Sequence, residues 1–570
     1  MPGLARRKGL GVVHAVLALA LGLGLLCAPQ AGAAPPAGPR SPAYQGFFAP
    51  PQTQGSLAVT LVPHARSVGR VVVAGFGLPF PPGYLTDAKN LVLTDGTGKE
   101  LPIHVKVLAH WSPPVPGAPC VRAVLIQFRD YMASQSPRKY TVRWGQPRRQ
   151  NLAGGWPSRQ DWLPVTDGMF PTGSVYDPPV WALLPPAWLD KCLLKGRFLT
   201  SGAQPSVDWI GQAQTNYFGH TINRPTLSTY DLAQKNVGQR FRQDYLTKFA
   251  PWLYDRAAAQ FVLYLRTGKL APLEAAHRSA QFYASQLEPN GKFGLLDKQR
   301  DVDLKYASQE GLTLDYFLTG DEKLLAATAR QAKALDSWDP TYSPQRTFWT
   351  ERQLGIGLVA AVAAYEMTGD PQLLQKARHL FEVGYRMQTE PPPGAPRDGC
   401  LIHTARQHGQ RYDGWYCSPW MTALFVDAAL RYYIITADPR VPQSAILMGQ
   451  FMVKTATYRF TVGKGQDTRT YTFPYYMVSS LNHTGHDIHD DKMHALDTSK
   501  MVAAAYYFAA KLGQPREHFR SLFRELMRTA QWPIPKVEYR RQPSYINTPP
   551  RRFNWWFRIT LDLGWLMSQN

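Results

Sequence analysis

The sequence predicts an α+β multidomain protein, an N-terminal β-barrel or sandwich followed by an (α/α)6 toroid. Two observations predict it. Residues 55–150 carry β-branched alternating runs cut by Gly, Pro and Asp-Gly turns. From about 240 onward, apolar helices alternate with amphipathic ones across short turns that recur five times.

The β half is read from "SVGRVVVAGFGLPFPPG", "NLVLTDGTGKELPIHVKVLAHW", "CVRAVLIQFRD" and "RKYTVRWG", with Asp95-Gly96 as a hairpin turn. Residues 34–54 form a proline-rich leader. Residues 151–239, rich in Trp, Pro and Gly, form a connector, and the toroid fills 240–570.

The helical half is punctuated by "YLRTGKLAPLEAA", "YFLTGDEKLLAAT", "YEMTGDPQLLQKA", "YYIITADPRVPQS" and "FAAKLGQPREHFR". In each, one helix breaks and an amphipathic helix begins. Before the turns lie small, apolar helices over 252–266, 306–318, 352–367, 418–436 and 496–511, with a sixth expected over 555–567. Such helices are buried on most sides, so these six are inner and the charged ones outer. Inner helices this uniformly apolar suit a closed ring better than an open solenoid.

Residues 1–33 read as a secretory signal peptide: Arg6, Arg7 and Lys8, an apolar run, then Ala31-Gly32-Ala33. A secreted or periplasmic protein follows, and no later stretch is long and apolar enough to insert in a membrane. The net charge is +22, and without the three basic signal residues +19. Outside the cell this excludes nucleic acid as the expected partner and favours an acidic polysaccharide. Of the cysteines that remain, Cys400 and Cys417 are expected to staple one loop, and Cys120 and Cys192 to form a second disulfide.

Turns from inner to outer helices are short, whereas the return connections are long, above all 388–417 and 457–495. The long loops therefore gather at the inner-helix N-termini, where free N–H groups favour anions. That face holds "KYASQE" (305–310), "RTFWTER" (346–352), "RYDGWYCSPW" (411–420), "NHTGHDIHDDKMHALDTSK" (482–500) and "INTPPRRFNWW" (546–556). An aromatic, basic, histidine-rich rim suits sugar rings, which have apolar faces and hydroxyl edges.

The stretch "VVVAGFGLPFPPGYLTDAKNLVLTDGTGKELPIHVKVLAHW…VRAVLIQFR", set ahead of a helical array, resembles exo-acting rhamnogalacturonan lyases and their relatives. The likeness is best over 65–145 and architectural over 240–570. It implies a RIFT-barrel-type β domain, a toroid, and a polysaccharide lyase that works with Tyr, His, Arg and Asn and needs no cofactor.

β-Elimination needs a neutralised carboxylate, a base for the C5 proton and an acid for the leaving oxygen. Arg352, Arg551 and Arg552 are placed for the carboxylate, Tyr412, His486 and His489 for proton transfer, and Asn554 for the enolate-like intermediate. Trp349, Trp415 and Trp555 are expected to stack on sugars, with Glu351, Asp413, His483 and Asp490 as further substrate contacts. A glycoside hydrolase would instead need two facing carboxyl groups, with Glu310, Glu351, Asp413, Asp490 and Asp491 as candidates. A non-catalytic polysaccharide-binding or export accessory protein is the third reading.

His483, His486 and His489, three apart and followed by Asp490, could also hold a divalent metal. Their place before the fifth inner helix favours a cleft-lining loop. Asp497 is expected to cap a helix beginning at Thr498.

Overall fold

Alternation sets the first sheet. In β1 (Gly55–Pro63) Leu57, Val59 and Leu61 are buried, while Ser56 and Ala58 are exposed. β2 (Val71–Pro79), β3 (Leu91–Thr94), β4 (His104–Trp111), β5 (Cys120–Tyr131), β6 (Arg138–Trp144) and β7 (Val180–Leu183) complete two antiparallel sheets. Their orders are β3–β6–β1–β7 and β2–β5–β4. β7 comes from the stretch read as a connector and pairs Leu61 with Ala182. The sheets meet through Phe128 and Tyr140, whose ring centroids lie 5.5 Å apart, and through Phe80 and Trp144 at 6.0 Å. β5 is buried at every position from Cys120 to Phe128, because it is central in its sheet and covered on both faces.

The computed structural model describes residues 38–200, 205–221, 246–295, 300–301, 303–343, 350–408, 414–463, 465–531 and 548–569. All belong to one unit, Pro35–Asn570.

The helices that build most of the helical half are α1 (Pro205–Thr221), α2 (Arg256–Thr267), α3 (Leu270–Ser285), α4 (Gln309–Thr319), α5 (Lys323–Ser337), α6 (Glu351–Thr368) and α7 (Pro371–Thr389). They continue with α8 (Pro419–Thr436), α9 (Arg440–Lys454), α10 (Ala495–Lys511), α11 (Glu517–Gln531), α12 (Thr548–Arg558) and α13 (Leu563–Ser568). α2 packs on α4, α4 on α6, α6 on α8, α8 on α10, α10 on α12 and α13, and α12 back on α2. α3, α5, α7, α9 and α11 each lie against the apolar helix that precedes them in the chain, and α1 lies against α2, α12 and α13.

Four of the turns share one construction. Gly268, Gly320 and Gly369 take left-handed φ of 64°, 74° and 72° and donate their N–H to the carbonyls of Tyr264, Tyr316 and Tyr365. Ala437 does the same at φ 54° to Tyr433. The threonine before each turn residue donates its hydroxyl to the carbonyl four residues back: Leu263, Asp315, Ala364 and Tyr432. Thus Y-x-x-T-G is a helix-stop signal that frees the chain to reverse.

The sheets and helices pack backbone to backbone. A Cβ at Gly77 of β2 would lie 2.4 Å from the Phe317 carbonyl oxygen of α4. Next to this contact, Arg122 of β5 pairs with Glu366 of α6 at 2.6 Å.

Three expectations are corrected. The sixth apolar helix does not run unbroken over 555–567: it splits into α12 and α13 at 559–562, where both Asp562 oxygens turn to Lys500 Nζ at 2.7 Å. Asp497 does not cap a helix at Thr498, because α10 begins at Ala495 and buries Asp497 in its first turn. Cys400 and Cys417 form the expected disulfide, but Cys120 and Cys192 are free and buried. Cys120 Sγ accepts the Gly83 N–H and Cys192 donates to the Pro79 carbonyl, so each thiol is occupied separately. Among the described residues no helix is long and apolar enough to cross a membrane.

Candidate active site at the helix N-termini

The chain enters α2 through two strained residues. Tyr254 and Asp255 are both left-handed, with φ of 64° and 55°, a conformation that costs roughly 1–2 kcal/mol per non-glycine residue. Their surroundings fix it. Asn554 of α12 donates to the carbonyls of Pro251 and Leu253, both at 2.9 Å. Asp255 accepts the Ala258 N–H through one oxygen (3.0 Å) and the Gly311 N–H through the other (2.9 Å), tying the starts of α2 and α4 together. Burial, reinforced by Glu310 and opposed by Arg558, pushes the Asp255 carboxyl up to about 6.

Strain here presents Tyr254 to an aromatic cluster built from four other segments. Its ring lies 6.3 Å from Trp420 of α8 and 6.3 Å from Trp555 of α12. His494, just before α10, lies 4.9 Å from Trp420, 4.2 Å from Trp555 and 5.7 Å from Tyr476. Asp497 orients this cluster: it takes the Trp555 indole N–H and stands 3.3 Å from His494 Nδ1. Trp420 Nε1 and His494 Nε2 are buried and have no hydrogen-bond partner among the described residues, while the buried Tyr254 hydroxyl turns to Arg352. Buried polar atoms are normally satisfied, so two such atoms beside a tyrosine–arginine pair mark a place built for chemistry or ligand.

Two half-buried cations flank the cluster. Burial works against the Arg352 charge, yet the neighbouring Tyr254, Asp303 and Tyr476 raise its pKa above the ordinary value. Arg551 stands with its guanidinium carbon 5.9 Å from the Trp555 ring centre.

The structure thus brings Arg352, Arg551 and Trp555 to one place. Asn554 is adjacent but fully buried, and it holds the Tyr254 turn rather than lining the cluster. Glu351 is buried and accepts from Ser418 N–H at 2.7 Å and pairs with His403 at 2.8 Å, anchoring both ends of the disulfide loop. Trp415 is half-buried, and its carbonyl takes the Ser479 hydroxyl. His483 and His486 are exposed and lie apart from His494, against the hairpin of β8 (Thr457–Val462) and β9 (Arg469–Pro474) and the residues after it. The His486 ring stacks 4.1 Å from Tyr458 and bonds Tyr475 Oη, while His483 lies 5.1 Å from Tyr475. Tyr475 and Tyr476 are consecutive, so the exposed pair borders the buried cluster. Trp349, Tyr412 and Asp413, and the side chains of His489, Asp490 and Arg552, lie outside the described residues. Among the described residues no three His, Cys, Asp or Glu groups gather as a metal site.

Of the carboxylates considered for hydrolysis, Glu310, Glu351 and Asp491 are already engaged. Glu310 pairs with Lys195, Arg431 and Arg558, which outweigh burial and hold its carboxyl below the ordinary value. The network continues through Asp427 to Lys500 and Asp562, and through Arg431 to Glu366 and Arg122. Asp491 accepts the Tyr458 hydroxyl at 2.7 Å.

Tyr254, Asp255, Trp420, His494 and Asp497 were not singled out as site residues from the sequence. Tyr254-Asp255 directly precedes an apolar helix, as an N-cap pair would, and that was the available signal. His494 hides inside the histidine-rich stretch, where the three-residue spacing draws the eye to its neighbours. Compared with known proteins, the chain matches no protein-family profile and no curated protein.

Proposed function

We propose that the chain is an exported polysaccharide lyase that cleaves a uronic-acid-containing polymer by β-elimination. On this reading α2, α4, α6, α8, α10 and α12–α13 are the inner ring of an (α/α)6 toroid. The sheet module is the barrel-type domain of exo-rhamnogalacturonan lyase-like proteins. The observation that carries the reading is the meeting of Arg352, Tyr254 and His494, with Arg551 beside Trp555, where apolar helices begin.

Each group has a role that fits its surroundings. Arg352 and Arg551 neutralise the uronate carboxylate, which makes the C5 proton acidic. Asp497 beside Nδ1 favours the tautomer that carries its proton there, leaving Nε2 of His494 as the base. The C5–H pair becomes the C4–C5 double bond, the C4–O bond breaks, and the Tyr254 hydroxyl protonates the departing oxygen. Trp420 and Trp555 supply apolar faces for the ring. Incubation with acidic polysaccharides tests this: the conjugated uronate product absorbs in the ultraviolet, and substitution of His494 or Tyr254 abolishes the signal.

A further inference from the structure

The far end of α2 carries a feature that this reaction does not use. A cavity of about 770 Å³ opens where α1 crosses the C-terminus of α2. The α2 helix has 12 residues, so at ~1.5 Å per residue the cavity lies roughly 18 Å from Tyr254 along the axis. Its size falls within the range of small-ligand sites.

The lining divides by chemistry. Pro185 and Pro186 give rigid apolar rings, and Trp209 of α1 gives an aromatic one. Arg266 and Lys269 bring two positive charges against the single carboxylate of Asp208. Trp209 Nε1 and Arg266 Nε are buried donors with no partner among the described residues. Among the described residues the Arg266 guanidinium donates to the Thr560 carbonyl, at a long 3.4 Å. Burial pushes Arg266 down to about 10, because Asp562 and Asp208 do not offset it, and Asp562 is itself held by Lys500. A cation thus sits under-compensated beside ring-shaped apolar walls.

We propose that this cavity is a second binding site, for a small carboxylate-bearing saccharide. The sugar's C–H face lies on Trp209 and the two prolines, and its carboxylate takes Arg266, with Lys269 adding charge at the exposed edge. The site does not depend on the elimination reaction and holds for a non-catalytic protein equally. A uronate can arrive free or as the end of a polymer chain, and both present the same chemistry to Arg266.

Hydrogen exchange on the full chain tests the proposal, with digalacturonate as the probe and neutral galactobiose as its control. Digalacturonate protects peptides covering 208–216 and 264–270, and galactobiose protects them at least tenfold more weakly at equal concentration. Lys269→Ala, on an exposed side chain, weakens the protection several-fold, Arg266→Gln removes it, and Asp208→Asn strengthens it, each with an unchanged far-UV spectrum. Protection by polygalacturonate but not by the disaccharide assigns the site to chain ends. Equal protection by galactobiose, or protection confined to peptides around Tyr254, Trp420 and Trp555, overturns the proposal. So does a folded Lys269→Ala, Arg266→Gln double variant that still protects 208–216.

Discussion

Asp497 stands 3.3 Å from Nδ1 of His494 and holds the indole N–H of Trp555 on the same oxygen. One buried carboxylate therefore sets both the tautomer of an imidazole and the tilt of the aromatic ring beside it. Asp497→Asn keeps the shape but permits the wrong tautomer. On the lyase reading it lowers kcat about 10²-fold or more and leaves KM within a few-fold. Steady-state kinetics on an acidic polysaccharide check this, and a pure KM effect would contradict it.

Arg352 neighbours the Tyr254 hydroxyl. A lysine there keeps the charge but loses the planar fork that grips a carboxylate in two places. Arg352→Lys is expected to reduce kcat/KM by about 10²-fold, and Arg352→Gln by more. The same substitutions change the melting temperature little, because Arg352 forms no salt bridge among the described residues and its Nε is unpartnered there. Parallel melting and kinetic measurements separate the two effects.

The contact between sheet and helix makes a different kind of prediction. Gly77→Ala places a methyl group against the backbone at Phe317 and Leu318, which cannot rotate away. We expect a loss of ~2–3 kcal/mol, seen in chemical denaturation. Gly369→Ala, at a turn with open space around it, carries only the left-handed penalty of ~1 kcal/mol. Reversal of that order would mean that the sheets do not rest on α4.

Burial pushes the Asp491 carboxyl up to about 6, although Tyr458 and Asp487 donate to it. The unfolded group ionises near 3.8, so between these values the folded state binds the extra proton. The sign follows: the stability of the protein falls as pH rises through about 6, and none of this penalty exists below about 4. Asp491→Asn can keep both hydrogen bonds on its carbonyl oxygen. Its melting temperature should match the parent in acid and exceed it near pH 8, by an amount worth roughly 1–3 kcal/mol. Equal curves at all pH values would place the titration elsewhere.

Much of the scaffold was legible from local chemistry. The Gly and Asp-Pro turns and the small apolar helices before them marked the reversals, three of which end on a left-handed glycine. The charges on those helices were harder to read. Glu310, Glu366, Asp427, Arg431 and Lys500 each look like a blemish in an apolar run, and only three dimensions show them pairing with one another and with Arg122, Lys195 and Arg558. The break at 559–562 has the same cause: Asp562 completes that network, and no propensity along the chain announces it. Arg352, Arg551 and Trp555 were named from their nearness to the starts of apolar helices, and they lie within α6 and α12. Tyr254 and His494 were not named, because their roles depend on a strained turn and a ring contact between segments distant in sequence.

The most direct measurement is ultraviolet absorbance during incubation of the protein with rhamnogalacturonan and polygalacturonate, alongside an assay for new reducing ends. The account predicts that both signals rise together and that both vanish in His494→Ala. Reducing ends that appear without the absorbance would contradict it and point to hydrolysis.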